Sequence, residues 1–223
     1  MQVLYFDNHI VVVKKAAGIP SQAVDGASVE QEARVWAKKQ FLKKGEVFLY
    51  VAHRLDKPVS GIVLLAKTSK ALERLQKAFR ERRMQKTYIA LVEGVLPEDQ
   101  GVLENYLAQE EFRTSISSAE NPQAKLSRLS YKVLEKMPNS SLVEIDLHTG
   151  RYHQIRAQFS HLGHPVVGDV KYGARHIANH PSHIALHHQK MEFFHPVTLE
   201  KMIFETPPPR EWKEWAQDLS LFF

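Results

Sequence analysis

The amino-acid sequence predicts an α+β fold, a mainly antiparallel mixed sheet with flanking helices. Apolar runs rich in β-branched residues occur in neighbouring pairs separated by short turn sequences, which is typical of antiparallel hairpins. A few other segments carry apolar residues at the spacing of an amphipathic helix. Apolar residues make up 43% of the 223 positions and charged residues 25%, which is ordinary for a folded globular protein.

The first elements are a strand pair and a helix. Residues 2–6 and 10–14 are β-rich runs joined by Asp7-Asn8, which predicts a hairpin. Residues 28–31, Ser-Val-Glu-Gln, form a capping-box pattern that predicts a helix start, and Gly45 is predicted to cap its end. The predicted buried face of this helix consists of Ala33, Trp36, Ala37 and Phe41.

The middle of the chain predicts further strands around a second helix. Residues 47–52 and 61–66 are predicted strands, and Ser69 is predicted to cap a helix. Its apolar face is predicted to be Leu72, Leu75, Ala78 and Phe79. Tyr88 to Val92 is a predicted strand, and the looser sequence at 96–125 predicts a mobile insert.

The last part of the chain completes the sheet. Residues 128–134 and 141–147 predict a strand pair around Pro138-Asn139. A helix is predicted from Tyr152 to Leu162, ending at Gly163. Two strands near 184–194 and 199–204 and a short Trp-rich terminal helix follow, and residues 1–223 are predicted to form a single domain.

Composition excludes several classes of protein. The sequence has no cysteine, so disulfides and thiolate metal sites are excluded. No stretch approaches the ~20 apolar residues of a membrane span, and no basic leader precedes an apolar segment at the start. These features predict a cytoplasmic protein that does not enter a membrane.

Positive charge is concentrated in one segment. The chain has a formal net charge of +5, and residues 70–86 alone carry seven basic side chains against Glu73 and Glu81. A solvated helix face is one interpretation of this segment, and a surface that follows RNA phosphates is the other. The candidates for phosphate contact are Lys70, Arg74, Lys77, Arg80, Arg82 and Arg83.

The nine residues His53 to Gly61 are the most informative segment for chemistry. They place one carboxylate, Asp56, between the cations Arg54 and Lys57, just before an apolar run. Neighbouring positive charge favours an ionised carboxylate, which can act as a nucleophile or stabilise a developing cation. The alternative is an ordinary Arg-Asp pair at a strand edge.

This nonapeptide resembles the core motif of the RluA-type pseudouridine synthases, usually written His-Arg-Leu-Asp-x-x-Thr-Ser-Gly. Four further segments resemble motifs of that family in the same order, so the resemblance covers roughly residues 3–205. They are Lys86 to Val92, Ser127 to Leu134, Thr149 to Arg156, and Leu162 to Asp169 with Tyr172-Gly173.

The resemblance implies the fold of the pseudouridine synthase catalytic domain and the isomerisation of uridine in RNA to pseudouridine. In that reaction the N-glycosidic bond breaks, the base turns and rejoins the sugar through carbon, and no cofactor is needed. The essential carboxylate of the family matches Asp56, its active-site tyrosine matches Tyr88, and its arginine that pairs with the aspartate matches Arg156. Whether the carboxylate attacks ribose or base stays open.

The same resemblance assigns substrate contacts. Arg54 matches the family residue that enters the RNA stack where the uridine leaves, as expected for an enzyme that flips a base. The other predicted substrate-binding residues are His53, Arg151, His153 and Gln154. Two positions depart from the family pattern: Val59 replaces a threonine, for which we expect altered packing rather than lost activity, and Ala16 replaces a proline.

A metal site is not expected. His176, His180, His183, His187 and His188 are close in sequence, but their spacing fits no common zinc pattern and acidic co-ligands are missing between Tyr172 and Met191.

The predicted partner is therefore RNA, a stem-loop of ribosomal or transfer RNA, bound by a monomer without the family's optional amino-terminal RNA-binding extension. Two other functions remain open at this point. A silent RNA-binding module could keep the scaffold without the reaction. A glycoside hydrolase would need a second acid, for which Asp146 and Asp169 are the candidates.

Overall fold

The structure, a computed structural model, describes residues 1–23, 26–42, 45–175, 183–212 and 214–215. The chain divides into two compact units. Unit 1 is Met1–Gln85 with His188–Pro207, and unit 2 is Lys86–His187 with Pro208–Phe223. Each unit combines antiparallel strands with at least one helix, which confirms the predicted α+β class. The prediction of a single domain over residues 1–223 stays a prediction.

The regular elements of the described residues follow in chain order. The helices are α1 (Val29–Gln40), α2 (Ser69–Arg80) and α3 (Gln154–His161), with a short 3-10 helix at Val170–Tyr172. The strands are β1 (Gln2–Phe6), β2 (Ile10–Lys15), β3 (Tyr50–Val51), β4 (Ser60–Ala66), β5 (Gln85–Glu93), β6 (Gln100–Glu110), β7 (Arg113–Ser117), β8 (Lys125–Met137), β9 (Ser140–Leu147), β10 (Leu186–Phe194) and β11 (Lys201–Glu205).

The centre of unit 1 is the pair β2 and β4, which run antiparallel with Val12 opposite Leu64. Strand β1 pairs with β2, β3 pairs with β4, and β10 follows β4 with β11 beyond it. Every residue of β4 is buried, which explains why the sequence there is continuously apolar rather than alternating. The predicted first hairpin is confirmed. The strand predicted at 47–52 is wrong in extent, because only Tyr50–Val51 is extended and paired.

Helix α2 packs on the unit 1 sheet through Ala71 and Leu75, which are 0% and 1% exposed. Its N-cap is Thr68, whose hydroxyl accepts from the Ala71 amide, so the prediction of Ser69 as the cap is wrong by one residue. In α1 the Ser28 cap is confirmed, since its hydroxyl accepts from the Gln31 amide. The C-cap of α1 is Phe41, so the prediction of Gly45 is wrong.

Unit 2 is built on strands in the order β5-β9-β8-β6-β7, all antiparallel to their neighbours. The hairpin predicted around Pro138-Asn139 is confirmed. Residues 96–125, expected to be irregular, instead contain β6 and β7, and this expectation is wrong. The sequence there lacked a long apolar run because most residues of β6 lie partly in solvent. Mobility of this segment stays a prediction.

Helix α3 begins at Gln154, two residues after the predicted start. The reason is His153, which is the N-cap and has a left-handed backbone with φ of 51°. Gly163, with φ of 87°, lies just after the helix as predicted. Most of the predicted terminal helix falls outside the described residues, although the rings of Trp212 and Trp215 are stacked.

Candidate active site

The Asp56 loop, residues 52–59, connects β3 to β4 in unit 1. The Val59 amide donates to the Asp56 carbonyl at 3.1 Å, which closes a turn just after the carboxylate. Asp56 is half-buried, whereas Arg54 and Lys57 are exposed. The loop therefore presents a carboxylate between two cations at a surface that solvent can reach.

A second segment holds this loop by backbone contacts. The Ser21 hydroxyl donates to the Leu55 carbonyl at 2.8 Å and accepts from the Leu55 amide at 2.9 Å. The Gly18 amide donates to the Lys57 carbonyl at 2.8 Å. Both neighbours of Asp56 in the sequence are thus fixed by residues 18–21.

Lys15 contacts the Asp56 loop, although the sequence did not place it among the candidate site residues. Its side chain is 0% exposed, and its ammonium donates to the carbonyls of Ala16, Ile19 and Lys57. Burial lowers the pKa of Lys15 to about 8, and the negative charge of Asp56 partly opposes this shift. Below that pH, Lys15 is a buried cation whose field reaches Asp56. The available signal was a lysine at the end of a strand whose other residues are almost all apolar.

His53, predicted to bind substrate, is half-buried at the start of the loop. Its Nε2 accepts from the Leu64 amide at 3.2 Å, and its ring lies 5.0 Å from the Phe79 ring of α2. The residue thus ties the Asp56 loop to both β4 and α2. Its contact with substrate stays a prediction.

The end of the core motif is fixed by packing. Val59 is 3% exposed, so an apolar side chain suits the position where the family pattern has threonine. Gly61 has φ of 121°, and a Cβ atom added there would lie 2.5 Å from the His188 amide nitrogen. Glycine is therefore required at this point of β4 for the backbone of β10 to approach.

Six exposed basic side chains lie on α2 and directly after it. They are called the basic surface below and are Lys70, Arg74, Lys77, Arg80, Arg82 and Arg83. Arg74 donates to the Pro196 carbonyl, and Glu81 lies 2.5 Å from Arg83 and 3.9 Å from Lys77. Two cations are thus partly compensated by one carboxylate, and the surface keeps a strong positive excess. Through Phe79 and His53 it adjoins the Asp56 loop.

Unit 2 carries the other predicted site residues. Tyr88 lies on β5 opposite Ile145 of β9 and is 7% exposed. Three of the four predicted residues of the 149–156 segment, His153, Gln154 and Arg156, belong to a set of buried side chains linked by hydrogen bonds, an ion pair and ring contacts, whereas Arg151 is half-buried. This set, called the Arg156 network below, consists of Thr149, His153, Gln154, Arg156, Asp169 and Tyr172.

Arg156 and Asp169 form a two-bonded ion pair in this network. Arg156 Nε lies 2.6 Å from Asp169 Oδ2 and Arg156 Nη2 lies 2.8 Å from Oδ1. The residues are 4% and 1% exposed, and the guanidinium also lies 4.9 Å from the centre of the Tyr172 ring. Asp169 is therefore committed to Arg156, which argues against it as the second acid of a hydrolase. The predicted pairing of Arg156 with Asp56 stays a prediction.

The side-chain amide of Gln154 forms hydrogen bonds with other groups of the protein. Its Oε1 accepts from the Thr149 hydroxyl at 2.7 Å and from the Arg151 amide at 3.1 Å. Its Nε2 donates to the Arg128 carbonyl and to Gln158. These bonds fix the turn that carries Arg151, whose own Nε is buried without a hydrogen-bond partner. Substrate binding by Gln154 and Arg151 stays a prediction. The Nε donor of Arg151 supports it for Arg151 more strongly than the occupied amide of Gln154 supports it for Gln154.

His153 is buried, and its ring contacts the rings of Tyr152 and Tyr172. Its Nδ1 lies 2.9 Å from the Tyr172 hydroxyl, and its ring stacks on Tyr152 with centres 3.8 Å apart. The Tyr172 hydroxyl accepts from the Thr114 amide, so its own proton is directed to His153 Nδ1. Burial, together with the charges of Arg156 and Lys171, lowers the pKa of His153 to about 3. The imidazole is therefore neutral at physiological pH.

The described residues contain no group of three or more histidine, cysteine or acidic side chains that could hold a metal ion. His176 and His180 lie outside the described residues. His188 is buried, and its Nδ1 contacts the Ile62 carbonyl at 2.7 Å. No helix of the described chain is long and apolar enough to cross a bilayer.

The sequence matches the family model described as RNA pseudouridylate synthase over residues 9–161. The chain belongs to the RNA pseudouridylate synthase family. It is 35% identical to the ribosomal large subunit pseudouridine synthase C of Vibrio vulnificus, over 97% of this chain and 69% of that protein. It is 32% identical to the dual-specificity RNA pseudouridine synthase RluA of Pasteurella multocida, over 93% of both. The resemblance inferred from the motifs is thereby confirmed.

Solved structures agree with the fold. Human RNA pseudouridylate synthase domain containing 4 matches with a TM-score of 0.82 at 23% identity, over 98% of this chain and 93% of that one. Human RNA pseudouridylate synthase domain containing 1 matches with a TM-score of 0.72, also at 23% identity, over 98% and 94%. The predicted pseudouridine synthase catalytic fold is confirmed. Since its relatives are pseudouridine synthases, the chain is an isomerase that acts on RNA, as the sequence predicted.

Proposed function

We propose that this protein converts specific uridines of ribosomal RNA to pseudouridine, with Asp56 as the essential carboxylate and Tyr88 and Arg156 as the other catalytic residues. The observation that carries the proposal is the Asp56 loop, in which a carboxylate reachable by solvent is held by its neighbours' backbone and flanked by cations. Membership in the pseudouridine synthase family gives this arrangement its chemistry.

Asp56 has two possible tasks in this reaction, and both need its ionised form. It can form a bond to the sugar as the N-glycosidic bond breaks, or it can add to the base. The buried cation Lys15 and the exposed cations Arg54 and Lys57 favour the ionised carboxylate in either case. Tyr88 is a candidate for stacking on the base and for proton transfer through its hydroxyl.

The target uridine is proposed to leave the RNA stack, with Arg54 filling the space that it vacates. Arg54 is exposed and lies two residues before Asp56, which suits a side chain that enters a stack. Unstacking a base costs a few kcal/mol, and an inserted planar guanidinium offsets part of that cost.

Ribosomal RNA is the preferred substrate class because several relatives are named for the ribosomal large subunit. The test is carbodiimide mapping of pseudouridine in total RNA from cells with and without the gene, complemented by wild type or Asp56→Asn. We expect modified uridines that depend on wild type and not on the variant. Sites in transfer RNA would change the substrate class, and an unchanged map would exclude the enzyme in favour of an RNA-binding module.

The basic surface is proposed to contact RNA phosphates. Removing one cation that binds a phosphate should reduce the slope of log affinity against log salt by about one. The variant Lys70→Gln/Lys77→Gln removes two exposed lysines from α2 and should lower the slope by about two. Its matched control is Lys38→Gln/Lys39→Gln on α1. Lys38, like Lys77, lies 3.9 Å from a glutamate, so the two variants lose comparable contacts. Equal slopes in the two variants would contradict a role for this surface.

The remaining sequence predictions, a monomer in the cytoplasm that recognises a stem-loop, stay predictions.

A further inference from the structure

Arg74 is held differently from the other cations of the basic surface. Its Nη1 donates to the Pro196 carbonyl at 2.7 Å. Among the described residues, Glu81 forms the ion pairs of this surface, with Lys77 and Arg83, and Arg74 takes part in neither. A neutral carbonyl orients a guanidinium without cancelling its charge and leaves its other N–H groups for a ligand. Arg74 is therefore an oriented cation whose charge no ion pair reduces.

Arg74 also lies at the centre of a row of cations on α2. Lys70, Arg74 and Lys77 are four and three residues apart, so they lie on one side of the helix. All three side chains are exposed. The row extends over about 10 Å along the helix axis, and such a row can follow consecutive phosphates of one RNA strand.

The carbonyl that orients Arg74 belongs to the turn between β10 and β11, residues 195–200. This β10–β11 turn folds around His195, whose Nδ1 accepts from the Thr198 amide at 2.9 Å and whose carbonyl accepts from the Leu199 amide at 3.1 Å. Leu199 has φ of 62°, a left-handed conformation that costs a leucine free energy. The turn therefore depends on contacts that hold it in this conformation.

The ring of His195 joins this turn to the hairpin of β1 and β2. It is 2% exposed, and its Nε2 lies 2.9 Å from Asp7 Oδ2. Because Nδ1 accepts from an amide, the ring proton is on Nε2, beside that carboxylate. Asp7 is fixed in turn, since its Oδ1 accepts from the amides of His9 and Ile10 at 2.7 and 2.8 Å and its Oδ2 accepts from the Tyr5 hydroxyl at 3.2 Å. The β10–β11 turn is thus anchored to an ordered carboxylate.

We propose that Arg74 is the phosphate contact that anchors RNA on the basic surface, and that His195 is its positioning residue. The buried contacts of His195 with Thr198 and Asp7 hold the β10–β11 turn, and the turn places the Pro196 carbonyl that orients Arg74. This inference rests on the proposed contact of the basic surface with RNA phosphates. A guanidinium can bind a phosphate through two parallel N–H groups, and one that is oriented before binding loses less side-chain entropy when it does so.

The first test asks whether the orientation of Arg74 matters beyond its charge. Arg74→Lys keeps the charge but loses the planar fork that can bind the Pro196 carbonyl and a phosphate together. We expect the affinity for a transcript of large-subunit ribosomal RNA, at fixed salt, to fall about tenfold. The matched control is Arg80→Lys, an exposed arginine of the same helix, for which we expect a change of about twofold or less. Equal affinities of the two variants would overturn the proposal.

The second test measures the coupling between Arg74 and His195. In the wild type, Arg74→Gln should lower the slope of log affinity against log salt by about one. His195→Phe keeps an aromatic ring but cannot accept from the Thr198 amide or donate toward Asp7, so in this variant adding Arg74→Gln should change the slope little. Lys77→Gln is the control and should lower the slope by about one with histidine or phenylalanine at position 195. Equal losses from Arg74→Gln and Lys77→Gln in the His195→Phe protein would show that His195 does not position Arg74.

A conservative variant tests the contact with the turn. His195→Asn keeps an acceptor close to the position of Nδ1, so it can still bind the Thr198 amide, and Arg74→Gln should again lower the slope in this background. Equal behaviour of His195→Asn and His195→Phe would overturn the assigned role of the Thr198 contact. The comparison of Arg74→Lys with Arg80→Lys decides the role of Arg74 even if His195→Phe does not fold.

The variant Lys70→Gln/Lys77→Gln separates this inference from the proposed function. If it leaves the salt slope unchanged, the proposed contact of the basic surface with RNA fails. If it lowers the slope but Arg74→Lys binds RNA like the wild type, only the inference about Arg74 and His195 fails.

Discussion

The Asp56 loop and the Arg156 network both hold charged residues in place, but by different kinds of contact. In the loop, the side chains of Lys15 and Ser21 bind backbone groups next to Asp56, and the neighbouring charged side chains face solvent. In the network, side chains bind side chains, and the ion pair of Arg156 and Asp169 is almost fully buried.

The difference indicates a division of tasks. The loop that carries Asp56 is held through the backbone of the residues that flank the carboxylate. A carboxylate that accepts two bonds from a buried guanidinium has its oxygens occupied, and it contributes to stability and orientation. Mutation of Asp56 should therefore lower activity more than stability, whereas mutation of Asp169 should lower the stability of the fold.

The largest effect is expected from Asp56→Asn. Turnover of uridine should fall by a factor on the order of 10⁴ or more, because the variant lacks the ionised carboxylate that the proposed reaction needs. The free energy of unfolding and the affinity for RNA should change little, because asparagine has the shape of aspartate and the contacts of Ser21 and Gly18 with the loop backbone are kept. Single-turnover kinetics and urea unfolding measure the two quantities, with the exposed Asp99→Asn as control. Turnover close to wild type would remove Asp56 from the mechanism.

Asp169→Asn, unlike Asp56→Asn, should lower the free energy of unfolding. Loss of its charge breaks the buried ion pair with Arg156, and breaking such a pair costs about 3–5 kcal/mol of the free energy of unfolding. Urea unfolding measures this loss. The matched control in unit 2 is Asp146→Asn, since the Asp146 carboxylate is exposed and accepts from Thr87. Equal stability of the two variants would mean that the buried pair is not a major source of stability.

Ser21→Ala is expected to lower both the free energy of unfolding and kcat by moderate amounts. It leaves the Leu55 amide and carbonyl without their buried partner, at a cost of about 1–3 kcal/mol in unfolding free energy. Because Leu55 precedes Asp56, kcat should fall while the affinity for RNA stays near wild type. The control is Ser28→Ala, an equally buried serine that caps α1 and does not contact the loop. If both variants lowered kcat equally, the loop contact would have no special role.

The smallest effect is expected from His153→Asn, which should change how the free energy of unfolding depends on pH. Its folded pKa of about 3 lies below the unfolded value of about 6.5, so the unfolded chain binds more protons between these values. Stability contributed by neutral His153 is thus present above about pH 6.5 and is lost as the pH falls. Asparagine tolerates the left-handed backbone but does not titrate. The stability difference between wild type and variant should shrink on acidification, and a constant difference would contradict a neutral His153.

The sequence was most informative where structure depends on neighbours in the chain. The β1–β2 hairpin, the helix at 69–80 and the strand pair around Pro138 followed from turn residues, caps and periodicity. The Asp56 loop was identified because its motif is continuous. The β6–β7 hairpin was missed because partly exposed strands lack the apolar runs that mark buried ones.

The contacts between residues that are distant in sequence could be identified only from the folded structure. Alternation of apolar and polar residues cannot distinguish a buried Lys15 from an exposed one, because its burial depends on carbonyls at positions 16, 19 and 57. The partner of Arg156 is thirteen residues away on another segment, and the Tyr172 hydroxyl that orients His153 is nineteen away.

The fold class and the family could therefore be inferred from the amino-acid sequence, because local patterns and continuous motifs record them, and the same motifs led to the proposal of Asp56 as the reactive carboxylate. Which buried charges compensate one another became known from the tertiary structure. Burial and hydrogen bonding depend on which segments meet in space, and the free energy of a charged side chain depends on those surroundings rather than on its neighbours in the chain.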